Sequence, residues 1–190
     1  MSALARDAWE SIGHYYAAPG ARERLLGLQE RYGVSVTALL TLAWNASRER
    51  GAISPGAAAR LAERVEAFQS EVLRPLRAAR DGLRRWQEPL GQGGRTLRET
   101  LLARELDAER LEQLLVLAML DTPGNREPPG DPLGDLCLSL ARYLDGRGVT
   151  PDSEAIQALE HLASQALPDY DGVHVGQIWA RAWRNRREPQ

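Results

Sequence analysis

The chain has no lysine: all 24 of its basic residues are arginines, set against 26 carboxylates. That absence excludes a phosphate-loop lysine, a Schiff-base lysine and a lysine general base. Cysteine is almost missing as well. Cys137 is alone, so no internal disulfide and no cysteine-based zinc site can form. Its setting, Leu136-Cys137-Leu138, points to a buried thiol rather than a nucleophile, which would want an electropositive, partly exposed position. No apolar run approaches a membrane span, and Leu114 to Leu120 is too short to be one. The first apolar pattern carries Arg6, Asp7 and Glu10 and does not read as a signal peptide. The net charge of −2 gives the molecule no general attraction to nucleic acid or membranes. A soluble cytoplasmic protein is the expectation. There is no Gly-x-Ser-x-Gly, no glycine-rich phosphate loop and no His-Glu-x-x-His. No repeat of fixed period suggests a solenoid.

What the sequence does have is helical periodicity, and no stretch alternates with period two over a strand's length. Ser2 can cap a first helix with the stripe Leu4, Ala8, Trp9, Ile12, Tyr15 and Tyr16, ended by Pro19-Gly20. A second helix uses Ala21, Leu25, Leu28 and Tyr32 and stops at Gly33. Ser35 then caps a helix that is apolar on nearly every side through Trp44 and ends near Arg50-Gly51. Such a helix belongs in the middle of a core. The expected fold is therefore all-α, a compact bundle around a buried central helix at about 35–50, with further C-terminal helices.

Ser54-Pro55 reads as a cap and first position for a fourth helix, which Pro75 should break or kink. Residues 87–95, with Pro89 and glycines 91, 93 and 94, read as a flexible loop. Thr96 to Glu99 forms a capping box for a leucine-rich helix, or for two helices with a bend at Asp107. The proline- and glycine-rich run from Thr122 to Gly130 is the best boundary. It divides a helical core at 1–121 from an extension at 131–190, expected to pack together as one globular unit. The extension should hold helices opened by Asp131-Pro132, by Thr150-Pro151 and by Asp171.

The ordered motifs Tyr16-x-x-Pro19-Gly20, Leu28-Gln29-x-x-x-Gly33, Leu39-Leu40-x-x-x-Trp44 and Arg74-Pro75-Leu76-Arg77 recur in a known pattern. With Glu105-Leu106-x-Ala108-Glu109, they resemble a bacterial family of conserved hypothetical proteins, a domain of unknown function. The resemblance covers roughly residues 9–120. That family usually carries Asp or Asn around the start of the central helix, where this chain has Ser35 and Thr37. The resemblance implies no activity, no cofactor and no site residues.

Two constellations stand out as candidate sites. Arg74, Arg77, Arg80, Arg84 and Arg85 crowd one short helical stretch, offset only by Asp81, and would suit phosphates or an acidic partner. The simpler account is a solvated helix face. Tyr15, Tyr16, Trp44, Asn45 and Arg48 would line a small-molecule or lipid pocket around the central helix, or merely pack with their polar tips satisfied. At the C-terminus, Trp179, Arg181, Trp183 and Arg184, followed by Arg186 and Arg187, suit nucleic acid or an interfacial helix, or else ordinary packing. Asp169, Asp171 and His174 lack EF-hand spacing, and Asp131 with Asp135 lacks a second acidic motif, so no metal or cofactor is expected. The partner expected is another protein, with nucleic acid and small molecules as alternatives.

Overall fold

The structure is a computed structural model that describes residues 2–170 and 172–188. Its helices are α1 (Ala3–Ala17), α2 (Ala21–Tyr32), α3 (Val36–Ser47), α4 (Pro55–Phe68), α5 (Arg74–Gly82), α6 (Gln87–Asp121), α7 (Pro132–Gly146), α8 (Ser153–Ala166) and α9 (Gly172–Asn185). Among the described residues the only β pairing is an isolated antiparallel bridge between Ile53 and Arg126. The all-α expectation holds.

The central helix forms as the sequence predicts. Ser35 is extended and its hydroxyl accepts from the Ala38 amide at 3.0 Å, satisfying one of the orphan donors of the first turn. Every residue from Val36 to Ala46 is then buried. The helices α1, α2, α6, α7 and α8 all pack on it. Ser2 caps α1, and Gly33 ends α2 with φ 65°. In α1 the buried face is Ala5, Ala8 and Ile12, whereas Leu4 is exposed.

A second helix is as deeply placed. In α7 every residue from Asp135 to Leu144 is buried, and the helix lies against α3, α4 and α9. Close approach to α4 depends on Gly146. A Cβ there would stand 3.0 Å from the Ala62 Cβ and 3.2 Å from the Ala59 Cα. Gly146→Ala is expected to cost about 1–3 kcal/mol by overpacking. Thermal unfolding of the variant checks this, and an unchanged melting temperature would show that α4 and α7 do not meet at this point.

Four sequence expectations need correction. Residues 87–95 are not a loop but the start of α6, broken only at Gly91 (φ 54°, ψ −132°). Pro89 falls in the first turn, where a missing N–H costs nothing. Thr96 consequently lies inside the helix and caps nothing, and no bend occurs at Asp107. Ser54 precedes α4 in the cap position, but its side chain makes no cap bond and donates to the Gly124 carbonyl at 3.4 Å. The α8 helix starts at Ser153, capped by Asp152 rather than by Thr150. The expected cap of α9, Asp171, lies outside the described residues. The break at Pro75 takes a particular form: α4 passes through one π-helical turn, Gln69–Leu73, before α5 begins. An extra residue in that turn re-aims the chain without ending it.

Candidate partner-binding arm

After the π turn, α5 and the short 3-10 turn Leu83–Trp86 run out, and the first half of α6 runs back. No residue of α5 is buried, and its main neighbour is α6. This helical hairpin is an arm standing off the core.

Its arginines divide into two groups. Arg77 donates to Glu105 Oε1 and to Glu109 Oε1, both at 2.9 Å, and to Gln69 Oε1 at 3.4 Å. Arg80 meets the other oxygen of Glu105 at 2.6 Å. Arg74 grips Glu66 through one terminal nitrogen at 2.7 and 2.8 Å. Burial opposes the Arg77 cation, yet its bonds to Glu105 and Glu109 more than offset that and raise its pKa. Arg84 and Arg85 remain exposed, Arg84 with only a long 3.6 Å contact to Asp81. The spacing puts Arg77, Arg80 and Arg84, with Arg74 at the edge, on one face; Arg77 and Arg80 do act together, turned to α6, whereas Arg84 stays exposed and Arg74 turns to Glu66.

One turn beyond Glu109, α6 carries a carboxylate inward. Ala108, Glu112, Val116 and Met119 recur at three and four, and all are buried, Glu112 completely. The Gln69 amide from the π turn donates to Glu112 Oε1 at 2.7 Å, and the Ser35 hydroxyl donates to Oε2 at 2.9 Å. The Ser35 amide in turn donates to the Tyr143 hydroxyl of α7 at 3.4 Å. One carboxyl thus ties the root of the arm to the cap of the central helix. Burial pushes Glu112 up to about 7 in spite of these two donors. Burial also raises Glu109, against the pull of Arg77.

The arm's surface is apolar to an unusual degree. Among the described residues the exposed large hydrophobics are Leu4 and six on the arm and α6: Trp86, Leu90, Leu97, Leu102, Leu106 and Leu111, each between 46% and 57% exposed. The exposed arginines Arg84, Arg85, Arg95 and Arg104 lie among them.

The aromatic residues expected around a pocket serve the core. Trp44 is wholly buried and its indole N–H donates to Asp7 at 2.9 Å. Arg48 closes on the same carboxylate at 2.7 to 3.1 Å. The Trp44 bond first, then Arg48, holds Asp7 below the usual carboxylate range. Asn45 is buried and donates to the Gly51 carbonyl at 2.9 Å. Tyr15 and Tyr16 are half-buried, and the Tyr15 hydroxyl lies 3.2 Å from Ser47 Oγ. A cleft of about 440 Å³ does adjoin Ser47, but its other walls are Glu49, Pro132 and residues 166–170, and none of the five lines it.

At the C-terminus Trp179 is buried and stacks on Trp183 at 6.3 Å, while Arg186 and Arg187 pair with Asp145 at 2.8 and 2.9 Å. Asp131 caps α7, Asp135 accepts from the Gly130 amide, and the Tyr170 hydroxyl donates to Asp131 at 2.6 Å. Burial raises the Cys137 thiol to about 12.

Residues 7–116 match the family model described as a protein of unknown function, DUF2390. The chain belongs to that family. No curated protein and no solved structure matches it. The DUF2390 segment opens at Asp7 and closes at Val116, so it takes in the Asp7–Trp44 bond, the π turn, the whole arm and Glu112, and leaves out α7 to α9. Sequence reasoning passed over Glu112 and Asp7. The signal for Glu112 was present, because a carboxylate on the apolar stripe of α6 breaks the helical pattern. Asp7 had no such signal: only the fold brings it to Trp44.

Proposed function

We propose that this chain is a non-catalytic helical module that binds another protein through the α5–α6 arm, as an adaptor or regulator in the cytoplasm. The observation that carries the reading is the gathering of exposed large apolar side chains on one hairpin, with the exposed arginines Arg84, Arg85 and Arg95 between them. Contiguous exposed apolar surface on a folded domain marks an interaction site. General nucleic-acid binding is less favoured, since Arg74, Arg77 and Arg80 are already matched by glutamates and the net charge is −2. No helix among the described residues is long and apolar enough to cross a membrane. The stretches 1–121 and 131–190 are proposed to fold as one cooperative unit, because buried residues of both join a single apolar core.

A nuclease-treated pull-down compares the wild-type chain with Trp86→Ser/Leu97→Ser. Both positions are exposed, so the change in stability should stay within about 0.5 kcal/mol each. The expected result is a specific protein recovered by the wild type and lost by the variant. Equal recovery by both would remove the arm from the account.

A further inference from the structure

We propose that the occupant of the arm is an acidic amphipathic helix of another protein, laid along α5 and α6 as a third helix. The inference rests on the protein-binding reading and adds the chemistry of the partner.

The first argument is the partly open apolar face of α5. Leu76, Ala79 and Leu83 recur at three and four on one side of the helix and Trp86 follows three residues on; Ala79 and Trp86 are exposed, and Leu76 and Leu83 are half-buried. The helix meets α6 instead through Arg77 and Arg80, which reach Glu105. The apolar side of α5 is therefore only partly covered within the chain. On α6, Leu102 and Leu106 lie one turn apart and are 50% and 46% exposed. An amphipathic helix covers such rows with residues at i, i+3, i+4 and i+7.

The second argument is charge. Beyond the paired Arg74, Arg77 and Arg80, residues 83–99 hold four arginines and two carboxylates, in a chain whose total is negative. Arg84, Arg85 and Arg95 are exposed, whereas Arg104 is paired with Asp107 at 2.7 Å. Carboxylates flanking the partner's apolar stripe would meet Arg84, Arg85 and Arg95, and complementary charge of this kind sets the choice of partner and the docking register. A second copy fits badly, because two arms face to face would bring the same arginines together. A bilayer would meet the tip, where Trp86 and Leu90 are exposed, but would leave Leu102 and Leu106, one turn apart farther along α6, uncovered.

The test uses two synthetic helical peptides of about 21 residues. They share leucines at i, i+3, i+4 and i+7, and carry Glu in one and Lys in the other at the remaining positions. Binding to the full chain is read by fluorescence anisotropy, beside flotation with vesicles of equal phosphatidylglycerol and phosphatidylcholine. The Glu peptide should bind saturably, and at least tenfold more weakly to Arg84→Glu/Arg85→Glu/Arg95→Glu and to Leu102→Ser/Leu106→Ser. Should the triple charge reversal unfold, Arg84→Gln/Arg85→Gln/Arg95→Gln gives the same reading. Equal binding of both peptides, or of the Glu peptide to every variant, overturns the proposal. So does vesicle binding without peptide binding. A natural partner that needs Trp86 and Leu97 but touches the arm with a basic or non-helical segment would overturn this inference and leave the protein-binding reading in place.

Discussion

Raising the pH from about 5 to about 8 is expected to remove roughly 3 kcal/mol of folding stability through one group, Glu112. The sign follows from linkage. Burial sets the folded-state pKa near 7, above the ordinary value of 4.5. The folded state therefore holds the proton more tightly than the unfolded chain. The stability so gained is complete below the unfolded value and is lost as pH rises through the folded one. For a chain of this length the loss corresponds to about 10 °C in melting temperature. Glu109 and Asp135 are also raised by burial and add slope of the same sign. Asp7 and Asp145 are lowered, so their contribution fails only toward acid, below this window.

Glu112→Gln isolates the effect. Glutamine cannot ionise, and it keeps one acceptor for either the Ser35 hydroxyl or the Gln69 amide. The variant should retain only the weaker slope of the remaining carboxyls. A melting temperature that falls as steeply with pH as in the wild type would assign the slope elsewhere.

The second large effect is expected at Arg142, on α7. Its guanidinium is buried, with the side chain 1% exposed, and pairs with Glu127 at 2.9 Å. It also donates to the carbonyls of Ile53 at 2.8 Å and Arg186 at 3.1 Å, and to that of Glu188. One side chain thus fastens the Ile53–Arg126 bridge, α7 and residues 186–188. Arg142→Met fills similar volume but withdraws the donors from a dry site. Breaking a buried pair in this way costs about 3–5 kcal/mol. That is a large part of the roughly 5–15 kcal/mol that holds a typical domain together. Urea unfolding should show it as a lower midpoint at unchanged slope, in one transition if 1–121 and 131–190 unfold together. A loss below about 1 kcal/mol would mean that water replaces the guanidinium without penalty.

Much of the fold was readable because it follows from local chemistry. Ser2, Ser35 and Asp131 cap as their side chains allow, Gly33 takes the left-handed conformation that ends α2, and the unbroken apolar run after Ser35 becomes the buried axis. The failures came where long-range packing decides. Prolines and glycines at 87–95 read as a loop, yet Pro89 sits where a helix tolerates it and only Gly91 leaves helical geometry. The arginine cluster was visible, but not which of its members α6 would claim, since Glu105 and Glu109 lie about a hairpin away in sequence. Likewise Trp44 and Asn45 carry the polar groups of a pocket, and only the fold shows them spent on Asp7 and on the Gly51 carbonyl.

The central claim is that the arm is where a partner sits. Site-specific photo-crosslinking in intact cells tests it most directly. The photoreactive residue is placed at Leu97 and at Leu102 on the arm, and at Gln157, exposed on α8. A discrete crosslinked species from Leu97 and Leu102, absent from Gln157, is the predicted result. Crosslinks from Gln157 alone, or no discrete species from either arm position, would contradict the account.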